Sequence, residues 1–479
     1  MRQLTGLDAS FLYMETPNAP MHIAGLGIYD QSTAPGGKLR FKEIVDNIHR
    51  RILELPTMTQ RLVTVPFNMD HPYWVTDGAF DPEFHIRHIA LPKPGDWRQL
   101  CIQISRLNAR PLDRDRPLWE IYVIEGLDNV EGVPRGSFAM FSKVHHAAVD
   151  GTSSVEMSVA MHDLTADYQR SKKAPVISLD NRPSTAELLA RSTLNNIRSP
   201  FHLISVARNT IPTFATAAVS LGRGKLHRVT KIPRTRFNGK VSPHRVFDAI
   251  NVPLDDVKAI KNSIPGATVN DVAIAIVGGA LRKYLQQHDE LPESSMAAMA
   301  PINVRSANDT SGGNIVSAMT VSVRSDIEDA RERLQAVHEG TRDAKELTHA
   351  IGAKAMTDYT NMMPAKLVSE AARLSARLGL ANRMSPAYNC VITNVPGPPV
   401  PIFSTGARMV ATYGTGPVVD GLGLFHAVGS YCGQFMISAT CCRAMMPDPS
   451  FYRDCMQGSF EELLTSATGK PKKGKRKTA

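Results

Sequence analysis

A basic, proline-broken stretch divides this chain of 479 residues into two longer segments of mixed α/β pattern. Residues 170–240 are interrupted by Pro175, Pro183, Pro200, Pro212 and Pro233. Proline lacks a backbone donor and clashes inside a helix, so no single long helix crosses this stretch unbroken. Residues 182–240 hold eleven Lys/Arg against one acid, Glu187, which is a poor composition for a core. The chain is also longer than one ordinary core organises. The pattern predicts an α/β (α+β) protein of two halves, residues 1–170 and 241–468, joined by a long crossover at 171–240. A basic tail, 469–479, is expected to be disordered.

The flanking segments carry the local signals of mixed structure. Phe41, Ile44, Val45, Ile48 and Ile52 recur at helical spacing over 41–53. Residues 118–124 (LWEIYVI) and 137–145 (SFAMFSKVH) read as apolar strands. A helix follows at 152–164, capped by Asp150 or Thr152. In the second half, 246–252, 317–323, 387–393 and 434–440 read as strands, and 268–285 as a long helix. Inside the crossover, apolar residues from Leu194 to Leu221 recur at roughly helical spacing, with Arg198, Arg208 and Arg223 between them. They suit one or two amphipathic helices that lie on a membrane surface or pack on the protein itself.

Charge narrows the partners. The net charge of +10 is concentrated in residues 182–240 and in the tail, which holds five Lys and Arg476 and no acid. The remainder is mildly acidic. Clustered positive charge points to an anionic partner: membrane phosphates, a CoA-type ligand or nucleic acid. No recognisable nucleic-acid module accompanies the charge, and aromatics make up only 6% of residues, so nucleic acid is not expected. No run approaches the ~20 apolar residues that span a bilayer, and residues 1–14 lack the plan of a signal peptide. Six cysteines without CxxC spacing fit a reducing cytosol better than a disulfide framework.

Against that background, His145-His146-Ala147-Ala148-Val149-Asp150-Gly151 carries the chemistry. Side chains alternate along a strand, so His145 and His146 are not expected to face one cavity together. That argues against a two-His metal site, and neither HExxH nor Cys partners accompany the pair. One imidazole can act as a neutral base while the other packs into the body. Asp150 opens a helix and can brace the loop or pair with an arginine. Gly151 permits a tight turn.

Companions are spread along the chain: Pro117-Leu118-Trp119-Glu120, Val269-Asn270-Asp271-Val272, Pro301-Ile302-Asn303-Val304-Arg305 and Asn394-Val395-Pro396-Gly397-Pro398. A strand start with a buried tryptophan accounts for the first, and a rigid Pro/Gly turn for the last. Asn270 suits a helix cap or a donor to a developing oxyanion at the positive end of the helix dipole. Arg305 is a candidate ion-pair partner for Asp150. No GxSxG elbow suggests a covalent acyl-enzyme.

The HHxxxDG stretch resembles the signature of the CoA-dependent acyltransferase superfamily. The whole ordered set, with the opening LTGLDASFLYMETPNAPMHIAGLGIYD, resembles the bacterial wax ester synthase/diacylglycerol acyltransferase family from the N-terminus to about Cys455. The resemblance implies two chloramphenicol-acetyltransferase-like domains with mixed sheets and a long helical crossover, and a site between them. It implies His146 as general base, Asn270 in oxyanion stabilisation, and His145, Asp150, Gly151, Asp271 and Arg305 shaping the site. Acyl-CoA is then a substrate, no cofactor or metal is expected, and the acceptor is a long-chain alcohol or diacylglycerol. The implied location is cytoplasmic, peripheral to the inner membrane or lipid droplets. A condensation enzyme with another acceptor and a non-catalytic lipid-surface protein are the alternatives.

Overall fold

A computed structural model describes residues 1–149, 153–167, 183–195, 232–303, 316–351, 370, 374, 379 and 384–469. Most of the crossover, the basic tail, Asp150, Gly151 and Arg305 lie outside the described residues.

The strands of the first half are β1 (Arg2–Gln3), β2 (His22–Asp30), β3 (Gln60–Val63), β4 (Tyr73–Thr76), β5 (Ile86–Ala90), β6 (Trp119–Glu125) and β7 (Phe138–His145). Those of the second are β8 (Arg245–Pro253), β9 (Ala297–Asn303), β10 (Val316–Ser322), β11 (Cys390–Pro396), β12 (Phe403–Ser404), β13 (Ala407–Thr415), β14 (Leu424–Tyr431) and β15 (Gln434–Cys442). They form two six-stranded sheets and a small three-stranded one, β1-β4-β3. One large sheet has the order β12-β13-β2-β7-β6-β5, and the other β10-β9-β11-β14-β15-β8. Both are mixed: β5 runs parallel to β6, and β11 runs parallel to β9 and β14.

One exchange separates chain order from sheet membership. Residues 403–415 belong by sequence to the second half, yet β13 pairs antiparallel with β2 in the first sheet. The boundary at 241 is therefore a boundary in sequence, which the sheets cross. Strand 387–393 begins three residues later than its apolar pattern predicts, at Cys390. The reason is Asn389, whose buried amide donates to the Pro233 carbonyl at 2.7 Å and to Asn238 Oδ1 at 2.8 Å, and accepts from Ala297 N–H at 2.9 Å.

Alternation along the central strands sorts two faces. Ile121, Val123, Met140 and Val144 pack with Ile44, Ile48 and Ile52 of the Phe41–Ile52 helix. Burying each such side chain is worth about 1.5–3 kcal/mol. On the opposite face, Tyr122, Ile124, Ala139 and Phe141 meet Leu100, Ile104 and Leu107 of the Trp97–Asn108 helix. Phe247 and Ala249 of β8 enter this same core, so it joins the two large sheets. Trp97 Nε1 donates to Asp248 Oδ1 at 2.9 Å, and Ser438 of β15 donates to the Gly414 carbonyl of β13 at 2.6 Å, across the same boundary.

The second sheet packs on the Val269–Gln287, Ala330–Ile351 and Pro449–Thr468 helices. Gly278 lets the first of these lie against the sheet, since a Cβ there would stand 1.9 Å from the Val323 carbonyl oxygen.

Candidate active site

β7 stops at His145, the last residue it pairs with β2, opposite His22. His146–Ala148 then forms a turn of 3₁₀ helix. The two histidines are thus separated by the end of the strand rather than by alternation within it. His145 is 1% exposed, whereas His146 is half-buried.

Three elements hold the turn. The His145 N–H donates to the Leu118 carbonyl at 2.9 Å, and the His146 N–H to the Met21 carbonyl at 2.8 Å. The Phe11 ring lies parallel to the His146 imidazole, with centroids 3.9 Å apart and planes 13° apart. Beneath the turn, Leu118 and Ala147 pack with Leu4, Ala9 and Leu12, so the Gly6–Met14 helix that carries Phe11 is fastened to the motif's own loop.

Burial pushes the His146 imidazole down to about 4, and its own main-chain carbonyl opposes this only in part. At neutral pH the ring is uncharged and carries a lone pair. Its Nδ1 is buried and has no hydrogen-bond partner among the described residues.

His145 accepts the Ala147 N–H on Nδ1 at 3.0 Å. That bond needs the Nδ1 lone pair, so the ring proton sits on Nε2. Nε2 stands 3.6 Å from Glu15 Oε2, an electrostatic contact longer than a hydrogen bond. Glu15 also accepts from Met21 N–H at 3.1 Å and from Arg114 Nε at 2.8 Å, with a second close contact from Arg114 Nη2. Burial alone would raise its carboxyl, but His145, Arg114 and the Met21 N–H outweigh burial and hold it at about 2.

A second buried polar group lies under the same strand. Lys143, fully buried, faces Glu120 across the β6–β7 register, with Nζ 3.2 Å from Oε2. Its other donors reach the carbonyls of Leu107 at 3.1 Å and Arg110 at 2.9 Å, at the end of the Trp97–Asn108 helix. His22 Nε2 contacts the Asn108 carbonyl at 2.8 Å, and burial and the Lys143 charge hold its imidazole at about 3. The motif at 117–120 thus supports the histidines. Leu118 anchors the His145 backbone, Trp119 is core with Nε1 donating to the Met58 carbonyl at 2.7 Å, and Glu120 neutralises Lys143.

Asn270 and Asp271 open the Val269–Gln287 helix in the other half. Thr268 is its N-cap, and the cap is reciprocal: Thr268 accepts from Asp271 N–H at 3.2 Å, and Asp271 accepts from Thr268 N–H at 2.8 Å. Asp271 is completely buried and also receives Thr341 Oγ1 at 2.6 Å and His338 Nδ1 at 3.0 Å. It bolts this helix end to the Ala330–Ile351 helix. Asn270, partly exposed beside it, makes no side-chain hydrogen bond to another described residue. No described hydrogen bond or ring contact joins Asn270 to His146. The turn at 394–399 is structural: the Gly397 N–H donates to the Ser430 carbonyl at 2.9 Å, and a Cβ would lie 2.4 Å from that oxygen.

Sequence reading missed Phe11, Glu15 and Lys143. The last left a trace, a lysine inside an apolar strand. Glu15 and Phe11 left none, because their partners lie up to 135 residues away in the chain.

Residues 4–273 match the wax ester synthase/diacylglycerol acyltransferase catalytic domain, and residues 312–464 match the WS/DGAT C-terminal domain. A Mycobacterium tuberculosis protein named as a diacylglycerol O-acyltransferase is 32% identical over 473 residues, covering 98% of this chain and 92% of its own length. A similarly named Mycobacterium bovis protein is 30% identical over 460 residues, covering 95% and 97%. The structure of the wax ester synthase/diacylglycerol acyltransferase from Marinobacter aquaeolei VT8 superposes with a TM-score of 0.70 at 28% identity, covering 98% of this chain and all of that one. The first condensation domain of the CDA synthetase shares the fold at a TM-score of 0.55 and 13% identity, covering 98% of this chain and 97% of that one. With both domain models matched in order along the chain and the two-sheet fold shared at full length, this chain belongs to the wax ester synthase/diacylglycerol acyltransferase family of acyltransferases.

Proposed function

We propose that this enzyme transfers a long-chain acyl group from acyl-CoA to the hydroxyl of a fatty alcohol or diacylglycerol, with His146 as general base. The observation that carries the reading is the state of His146: neutral at pH 7, fixed by Met21 and stacked on Phe11. With the ring proton on the buried Nδ1, Nε2 holds the lone pair for the alcohol. Nε2 takes the hydroxyl proton as the oxygen attacks the thioester carbonyl. The C–O ester bond forms, the C–S bond breaks, and the CoA thiolate recovers the proton from the imidazolium. Asn270, whose amide has no hydrogen-bond partner among the described residues and stands at a helix N-terminus, stabilises the tetrahedral oxyanion. General base help is typically ~10²–10⁴-fold.

The membrane or lipid-droplet surface is the proposed workplace, supported by the basic stretches at 182–240 and 470–479. No described helix is long and apolar enough to cross a membrane. Vesicle flotation with and without residues 470–479 tests the surface, and loss of binding to anionic vesicles on truncation is the expected result.

Purified protein given labelled palmitoyl-CoA, with hexadecanol and diacylglycerol side by side, tests the reaction. Labelled wax ester or triacylglycerol, lost in a folded His146→Gln protein, is expected. A folded His146→Gln protein with full activity refutes the base assignment.

A further inference from the structure

Glu15 has more donors directed at it than a structural acid at the end of a short helix requires. Its side chain is 7% exposed. Oε1 accepts the Met21 N–H, while Oε2 takes the two Arg114 donors and faces Nε2 of His145. Two of these partners lead directly to the proposed base. Met21, whose N–H Glu15 accepts, offers its carbonyl to the His146 N–H at 2.8 Å. His145, whose Nε2–H Glu15 faces, accepts the Ala147 N–H on its other nitrogen. The Glu15 N–H in turn closes the Phe11 helix by donating to the Phe11 carbonyl at 3.2 Å.

We propose that Glu15 is a positioning residue for His146: through Met21 and His145, its carboxylate fixes the backbone and the supporting imidazole of the base. This rests on the reading of His146 as base and adds the group that holds it in place.

The chemistry requires a carboxylate. Met21 N–H, Arg114 Nε and Nη2 and His145 Nε2 are all donors, and an ionised carboxylate offers acceptors only. An amide of the same size must turn its NH₂ toward either Met21 or the Arg114–His145 side, donor against donor. Arg114 supplies the compensating charge, so the acid stays ionised while His145 stays in the Nε2–H form. The other polar groups facing His145 are His22 across the β2–β7 register, Lys143 two residues earlier and His146 itself. His22 is held neutral at about 3 and Lys143 is matched by Glu120, so among the described residues Glu15 is the anion directed at the His145 ring.

The same segment ties the base to the second sheet. Asn18 offers its carbonyl to the Arg245 guanidinium of β8, and Ala19 packs in the core of the second half. Residues 15–21 therefore register His146 against the half that carries Asn270, with Glu15 anchoring one end. A base displaced by a fraction of an ångström loses rate rather than substrate affinity.

The test is Glu15→Gln in the full chain, with three readouts. In the acyl-CoA/alcohol assay kcat falls about 10–100-fold while KM for palmitoyl-CoA stays within about twofold. In two-bond ¹H–¹⁵N spectra of ¹⁵N-histidine-labelled protein, assigned with a His145→Asn variant, His145 is the Nε2–H tautomer in the native chain and loses that fixed form in Glu15→Gln. Urea unfolding shows that the variant is folded under assay conditions. Should Glu15→Gln prove unstable, Arg114→Met, which leaves every acceptor in place, is measured the same way and is expected to lower kcat less. Full-rate Glu15→Gln beside inactive His146→Gln overturns this inference alone. An Nδ1–H tautomer for His145 in the native protein also overturns it. An active, folded His146→Gln protein overturns the base assignment beneath it.

Discussion

Replacing Phe11 with Ala should move the acidic limb of the pH–rate profile. Phe11 covers one face of the His146 ring in a parallel stack at 3.9 Å. Burial is the largest reason that ring sits at about 4. Against an unperturbed histidine near 6.5, this disfavours the protonated ring by roughly 3 kcal/mol. Opening one face to water should return about a third to a half of that, placing the imidazole near roughly 5. The sign follows from the charge: water stabilises the imidazolium, so the value rises and base activity is lost at a higher pH. The assay is kcat/KM for acyl transfer from pH 4.5 to 8, which reports the free enzyme. Mixing immediately before each measurement prevents slow acid unfolding from imitating the limb. The native enzyme should be nearly flat down to about pH 5 and the variant half-inactivated near that pH. Coincident profiles, or a native limb centred near 6.5, would refute the reasoning that burial tunes this base.

Three further outcomes follow from the same geometry. Glu120→Gln leaves Lys143 buried without its counter-charge and should cost about 3–5 kcal/mol in urea unfolding. Asn270→Ala should lower kcat about 10²–10³-fold with stability nearly unchanged, because its amide makes no bond to another described residue. Acid should destabilise the fold through its buried, neutral histidines. His426, completely buried with Nε2 2.8 Å from Tyr452 Oη, is held at about 4 by burial. Below pH 6.5 the unfolded chain binds a proton that this site refuses, so stability falls as pH drops toward 4, by about 3 kcal/mol from His426 alone. A His426→Asn protein should show a shallower decline in urea titrations between pH 7 and 4.5.

Much of the fold was legible where period and composition acted locally. The Phe41–Ile52 helix and strands β6, β7, β8 and β15 lie where apolar spacing predicts them, within one or two residues. β13 was not legible as a member of the first sheet, because pairing between residues 378 to 391 positions apart leaves no local pattern. The site divides in the same way. His145 and His146 were evident as a pair, and Asp271 as part of a helix opening. Its role as a bolt came from Thr341 and His338, 70 and 67 residues away.

The sequence alone determined which chemical groups are present, in what order, and that one imidazole of the pair would differ from the other. Local side-chain spacing and backbone preference are sufficient for that. Only the tertiary structure decided that Phe11, Glu15, Met21 and Leu118 surround the pair, and that Lys143 and Glu120 neutralise each other beneath it. The protonation state of a histidine depends on what excludes water and which charges face it. Those neighbours come from two distant segments, residues 11–21 and 118–120, and from the pair's own strand, and only the packed sheets bring them together.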